Sequence, residues 1–106
     1  MKISDLTLGE RYQIARRRLG ESQSAAAERL EVTLYRYRKI EADAIKAKPV
    51  KLGKLQPYEI CFIKRTRAKL EVRELAAALD CTPWWLTQME YGRQPCTALV
   101  EHWNAA

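Results

Sequence analysis

The sequence predicts an all-α protein: two tandem units of three to four short helices each, joined by a basic linker. Three observations predict it. Only four glycines and four prolines interrupt 106 residues, so few breakers stand against helix. Capping residues open short stretches whose apolar positions recur at helical spacing. The chain also repeats itself. Shifted by 49 residues, positions 6–41 meet positions 55–90 without a gap, and nine are identical: Leu6/Leu55, Glu10/Glu59, Ile14/Ile63, Arg16/Arg65, Arg18/Arg67, Ala27/Ala76, Leu30/Leu79, Thr33/Thr82 and Glu41/Glu90. A period in this range marks duplicated supersecondary units.

Each element follows from its cap and its inward face. Residues 8–19 form a first helix, with Tyr12 and Ala15 facing inward. Ser22 is a good N-cap for a second, 23–30, with Ala26, Ala27 and Leu30 inward. Thr33 caps a third, 34–41, with Tyr37 and Ile40 inward at i, i+3. The second unit copies this plan. Pro57 suits the first turn of a helix reaching about residue 69. Leu75, Ala76 and Leu79 line the next, at about 71–79, and Thr82 then caps a third, with Leu86 and Met89 inward. The tail 95–106 forms a fourth helix whose Leu99, Val100 and Trp103 make an apolar stripe. That helix either closes the second unit or packs against a second chain. Residues 42–56 carry four lysines, one proline and one glycine. The units are therefore bounded at 1–47 and 57–106, with 48–56 as linker. Domains this small are marginal alone, so the two are expected to pack together.

A composition of 47% hydrophobic and 30% charged residues is that of a soluble globular chain. There is no apolar run long enough to span a membrane and no signal-peptide pattern at the start, so the expected location is the cytoplasm. The net charge of +6 is uneven: residues 1–53 hold 12 Lys/Arg against 7 Asp/Glu, and residues 54–106 hold 7 against 6. A basic half invites a polyanion, most commonly nucleic acid. Cys61, Cys81 and Cys96 show no C-x-x-C spacing and His102 is the one histidine, so neither a metal site nor a disulfide framework is expected. The cysteines read as small core residues. No nucleophile–base set, metal cluster or phosphate-cradling glycine loop suggests an enzyme or a cofactor.

Ala27 and Ala76 sit where two short helices must approach closely ahead of a capped third, which is the helix-turn-helix plan. Two stretches, "GERYQIARRRLGESQSAAAERLEVTLYRYRKIE" and "EVRELAAALDCTPWWLTQMEYGR", resemble the Cro/phage-repressor (XRE-type) helix-turn-helix family. The resemblance rests on Arg16, Ser22, Gln23, Ala27, Val32, Thr33 and Glu41 in unit 1, and on Arg65, Ala76, Cys81, Thr82, Glu90 and Gly92 in unit 2. It implies that the helix-1 Arg pairs with the helix-3 Glu, 25 residues on in both units. It also implies that the third helix of unit 1 enters the DNA major groove. The residues expected on DNA are then Thr33, Leu34, Tyr35, Arg36, Arg38 and Lys39, with Gln23 on the phosphate backbone. The plain alternative is a solvated basic face. Unit 1 departs from the family at Glu21, where an apolar residue is usual; at Glu31, where the turn usually has Gly; and at Ala42-Asp43, where x-Gly is usual. These departures are expected to weaken the fold slightly and to add negative charge near the DNA face.

Unit 2 differs on the same face. Thr82, Pro83, Trp84, Thr87 and Gln88 replace the unit-1 positions, Val72 replaces Gln23, and no Lys or Arg remains on the helix. Aromatic area suits a protein contact better than base reading, so Trp84, Trp85 and Gln88 are expected on a partner. Alternatively one indole, most naturally that of Trp85, packs into the core. The expected function is a small bacterial, phage or mobile-element transcriptional regulator, such as a repressor. Unit 1 contacts double-stranded DNA, and unit 2 serves dimerisation, a second half-site or a protein partner. The alternative is an antiactivator that blocks another regulator through Trp84 and Trp85.

Overall fold

The computed structural model describes residues 1–105; Ala106, the last residue of the expected tail helix, lies outside them. Among the described residues there are seven α-helices and no strand, so the protein is all-α. The helices are α1 (Leu8–Arg18), α2 (Gln23–Arg29), α3 (Leu34–Glu41), α4 (Pro57–Arg67), α5 (Val72–Ala78), α6 (Pro83–Glu90) and α7 (Thr97–Asn104). A single 3-10 turn, Ile3–Asp5, precedes α1. None is long and apolar enough to cross a membrane.

The starts and ends of α1, α2 and α3 recur 49 residues later in α4, α5 and α6. The caps explain the starts. Ser22 Oγ accepts from Ala25 N, Thr33 Oγ1 from Arg36 N and Thr82 Oγ1 from Trp85 N, each at 3.1 Å. Each satisfies one of the amide donors that a helix start leaves without an intrahelical partner. α1 opens with a reciprocal capping box: Glu10 N donates to Thr7 Oγ1 and Thr7 N to Glu10 Oε1. In α4 and α5 the glutamates at the third position, Glu59 and Glu74, accept from the cap amides of Gln56 and Glu71.

The ends share one device. The residue after each C-cap takes a left-handed backbone: Gly20, Glu31 and Asp43 in unit 1, Lys69, Asp80 and Gly92 in unit 2. The following amide reaches back to a carbonyl one turn up, as in Val32 N to Ala27 O and Cys81 N to Ala76 O. Only two of the six positions are glycine, so four side chains accept a conformation that costs roughly 1 kcal/mol each.

The chain divides into two units, Met1–Lys54 and Leu55–Ala106. Much of the stretch expected to be a free linker therefore groups with unit 1. Tyr12 Oη donates to Lys48 O at 2.7 Å, Val50 packs against the unit-1 core, and Arg18 Nη2 donates to Lys54 O at 2.9 Å.

In unit 1, α3 packs on α1 and α2 around Tyr12, Ala26, Ala27, Tyr37 and Ile40, with the Tyr12 and Tyr37 rings edge to face. The residue of α1 that buries fully is Ile14; Ala15, expected inward, is half-exposed. Leu8, Tyr12, Ala15 and Leu19 form one helical stripe, on which Tyr12 buries as expected, while Ile14 lies off that stripe and was not found by spacing.

In unit 2, α6 packs on α4 and α5, and α7 on α4. The core holds Cys61, Leu75, Ala76, Leu86, Met89 and Leu99, with Val100 and Trp103 against it. The tail helix thus closes its own unit. Burying Leu75, Leu86 and Leu99 completely contributes about 2 kcal/mol each. Cys61 is buried, its thiol pushed up to about 11 by burial and then by nearby Cys96, while Cys81 and Cys96 are half-buried against the same core.

Candidate nucleic-acid interface

Tyr37, Ile40 and Glu41 turn inward from α3, which leaves Tyr35, Arg36 and Arg38 exposed and Leu34 and Lys39 half-exposed. Tyr35 is 70% exposed, and Lys39 Nζ lies 4.3 Å from its ring centroid one turn on. That cation–π contact holds the ammonium and the ring on one side of the helix. Thr33 is exposed at the start of the face, with its hydroxyl oxygen engaged as the cap. The expected residues of α3 therefore share one solvent-facing, basic surface.

Behind this surface runs a connected set of polar groups. Arg16 Nε donates to Glu41 Oε2 at 2.7 Å and Arg16 Nη2 to Glu41 Oε1 at 3.3 Å, while Nη1 reaches Glu21 O at 3.3 Å. One guanidinium so ties α1, the turn after it and the end of α3. Gln23, expected on phosphate, is engaged within the chain. Its Nε2 donates to Glu41 Oε1 at 3.0 Å, and its Oε1 accepts from Arg38 Nε at a long 3.4 Å. Gln23 thereby couples the buried ion pair to an exposed arginine. The contact to Arg38 is at the long end of hydrogen-bond distances.

Two departures from the family pattern are compensated. Glu21 accepts both bonds from Arg29 Nε, at 3.0 and 2.8 Å, so its charge is paired; that hydrogen bond holds its carboxyl below the ordinary range. Asp43 takes the left-handed position after α3 and turns its carboxylate onto the start of α1. There it accepts from Gly9 N at 2.8 Å and from Thr7 Oγ1 at 2.6 Å. An anion at a helix N-terminus also meets the positive end of the helix dipole. Gly9 permits this approach, because any Cβ there would overlap the Glu41 carbonyl. Glu31 has no such compensation: it is exposed, with φ +57°.

Unit 2 keeps the frame and loses the basic face. Arg65 Nε donates to Glu90 Oε2 at 2.7 Å and Nη1 to Leu70 O at 2.9 Å. Val72 offers no carboxamide where Gln23 stands in unit 1, and Thr87, at the Arg38 position, donates its hydroxyl to Pro83 O. The exposed side of α6 carries Trp84, 63% exposed, and Trp85, 39% exposed, with ring centroids 6.2 Å apart. Neither indole is core; Trp85 is the more covered. Gln88 is half-exposed one turn on from Trp84.

Asp43 and Gly9 escaped the sequence reading as a pair. The signal was present in the repeat: Asp43 aligns with Gly92, and Gly9 with Tyr58. In unit 2 the sizes are exchanged, with the Tyr58 ring lying where a Cβ on Gly92 would sit. The small residue is on the first helix in one unit and after the third in the other. Searches against known protein families, curated proteins and solved structures find no match to this chain.

Proposed function

We propose that the chain is a DNA-binding transcriptional regulator of the Cro/phage-repressor type, with α3 of unit 1 as its reading helix. The observation that carries this is the face of α3. Arg36, Arg38 and Lys39 are presented with Tyr35 on one exposed surface, on a helix braced from behind by Arg16 and Glu41. Arg38 and Lys39 suit guanine edges or phosphate, and Tyr35 suits a phosphate or a thymine methyl. Gln23 positions Arg38, and releases it when a phosphate takes its place. Titrating a random-sequence duplex against salt tests this. If Arg36, Arg38 and Lys39 each meet one phosphate, log affinity falls with log salt at a slope of about −3. Absence of binding at low salt overturns the proposal.

A second reading rests on a separate observation, the two neighbouring exposed indoles of α6. Trp84 and Trp85 suit a protein contact, either a second copy of the chain or a regulator that this one blocks. Both readings hold together if unit 1 meets DNA and unit 2 meets protein.

A further inference from the structure

The chain's three cysteines, Cys61, Cys81 and Cys96, all fall in unit 2. They come from three separate places: the middle of α4, the turn before α6 and the residue that opens α7. All three are free thiols, and all meet one apolar core. Cys61 is buried within it, and Cys81 and Cys96 pack against it half-buried.

The repeat shows that this convergence belongs to the frame. Moved back 49 residues, the three positions are Tyr12, Val32 and Ala47. In unit 1 these lie in or against one core and line one cleft. The same three positions therefore come together in both units, and only unit 2 places a thiol at each. Among the described residues, no three His, Cys, Asp or Glu side chains gather closely enough to hold a metal ion, so the thiols are considered as a pair.

Packing and exposure select which pair. α7 packs on α4. Cys96 stands at i, i+3, i+4, i+7 spacing with Leu99, Val100 and Trp103, on the stripe of α7 that meets the core. Cys61 lies on α4, 3% exposed. Burial, and then the nearby Cys96, hold its thiol up to about 11, so it keeps its proton at neutral pH and does not react first. Cys96 is half-exposed at the open end of α7, where a small oxidant reaches it from solvent.

We propose that Cys96 and Cys61 form an oxidant-sensing pair: hydrogen peroxide oxidises Cys96, and Cys61 then closes a disulfide between α7 and α4. In the first step the Cys96 sulfur attacks the peroxide. An S–O bond forms, the O–O bond breaks, and water leaves a sulfenic acid behind. In the second, the Cys61 sulfur attacks the Cys96 sulfur. The S–S bond forms, the S–O bond breaks, and the departing hydroxide takes the Cys61 proton as water. Two thiols and one peroxide thus give one disulfide and two waters. The link fastens the tail helix to its own unit, whatever either third helix binds.

The test exposes the reduced full chain to a few equivalents of hydrogen peroxide, then maps its tryptic peptides by mass without reductant. Trypsin places the three cysteines on separate peptides. The expected product is a single chain lighter by two hydrogens, with the Cys61 and Cys96 peptides joined, and dithiothreitol reverses it. Its thermal midpoint is expected to rise by about 5 °C or more. Cys81→Ser is expected to keep the link. Cys61→Ala is expected to stop at a dimedone-trapped sulfenic acid on Cys96, and the wild-type map decides the pairing should that variant fail to fold. A link through Cys81, disulfides only between chains, or over-oxidised Cys96 beside a free Cys61 would each overturn the proposal. So would a linked chain that melts no higher than the reduced one.

Discussion

Units 1 and 2 share a frame and differ on one face. Both join the first helix to the end of the third by a buried Arg–Glu pair 25 residues apart, Arg16–Glu41 and Arg65–Glu90. Both close three helices with the same left-handed turn. On the outward side of the third helix, Tyr35, Arg36, Arg38 and Lys39 align in sequence with Trp84, Trp85, Thr87 and Gln88. The polar chain through Gln23 exists only where there is a cation to position; Val72 ends it in unit 2. The two units thus share the contacts that hold three helices together and differ in the chemistry of one exposed face. The frame tolerates large changes on the face because the residues at 35, 36, 38 and 39 point away from the core.

The largest test of that division removes the frame. Glu41→Ala and Glu90→Ala each take the buried carboxylate from a half-buried arginine, so each is expected to cost about 2–3 kcal/mol, read by urea unfolding. Equal costs would support the shared frame. A cost near zero at either position would break it.

Next comes the face. Arg38→Ala is expected to lower DNA affinity by about 1–3 kcal/mol with the fold intact, measured by gel shift at moderate salt. Thr87→Ala, its counterpart, should leave affinity unchanged. If the two behave alike, the units do not differ in the way proposed.

Trp84→Ala is expected to weaken self-association or partner capture by about 2 kcal/mol while sparing DNA binding. Light scattering and pull-down read the first, gel shift the second. An unchanged set of complexes would return the indoles to the solvated surface.

The smallest effect lies in the unit-1 core. Tyr37 is fully buried, and its hydroxyl has no hydrogen-bond partner of good geometry, where unit 2 has Leu86. Burial, and then the Glu41 carboxylate, hold the phenol well above its ordinary value of 10.0. A raised acid pKa stabilises the neutral folded form. This contribution is intact below pH 10 and is lost as pH rises above it, because the unfolded chain ionises first. Tyr37→Phe should therefore leave stability at pH 7 unchanged or raise it by up to about 1 kcal/mol. It should also flatten the fall above pH 10 in thermal melts. A loss of more than that at pH 7 would show that the hydroxyl contributes to the core.

The seven helices and most of their limits were legible in the sequence, because what starts a short helix is local. Thr33 and Thr82 bond amides three residues on, and the period of 49 confirms each in the other. Both Arg–Glu pairs came from the family resemblance. The inward face of α1 was half legible: the stripe through Tyr12 found one core residue, but only packing selected Ile14, which lies off that stripe, over Ala15. That Tyr35, Arg36 and Arg38 are exposed was legible from helix spacing, whereas the bonds of Gln23 to Glu41 and Arg38 were not.

The sequence by itself determined the helical class, the repeat, the caps and the contrast between a basic and an aromatic third helix. All are set within a few residues or by comparing the chain with itself. The tertiary structure alone decided that Asp43 caps α1 across 34 residues, that Gln23 bridges Glu41 and Arg38, and that the non-helical stretch through Val50 packs on the unit-1 core where unit 2 uses α7. Those contacts join positions far apart in the chain. Whether such groups meet depends on how the helices cross, which no local stretch of the sequence specifies.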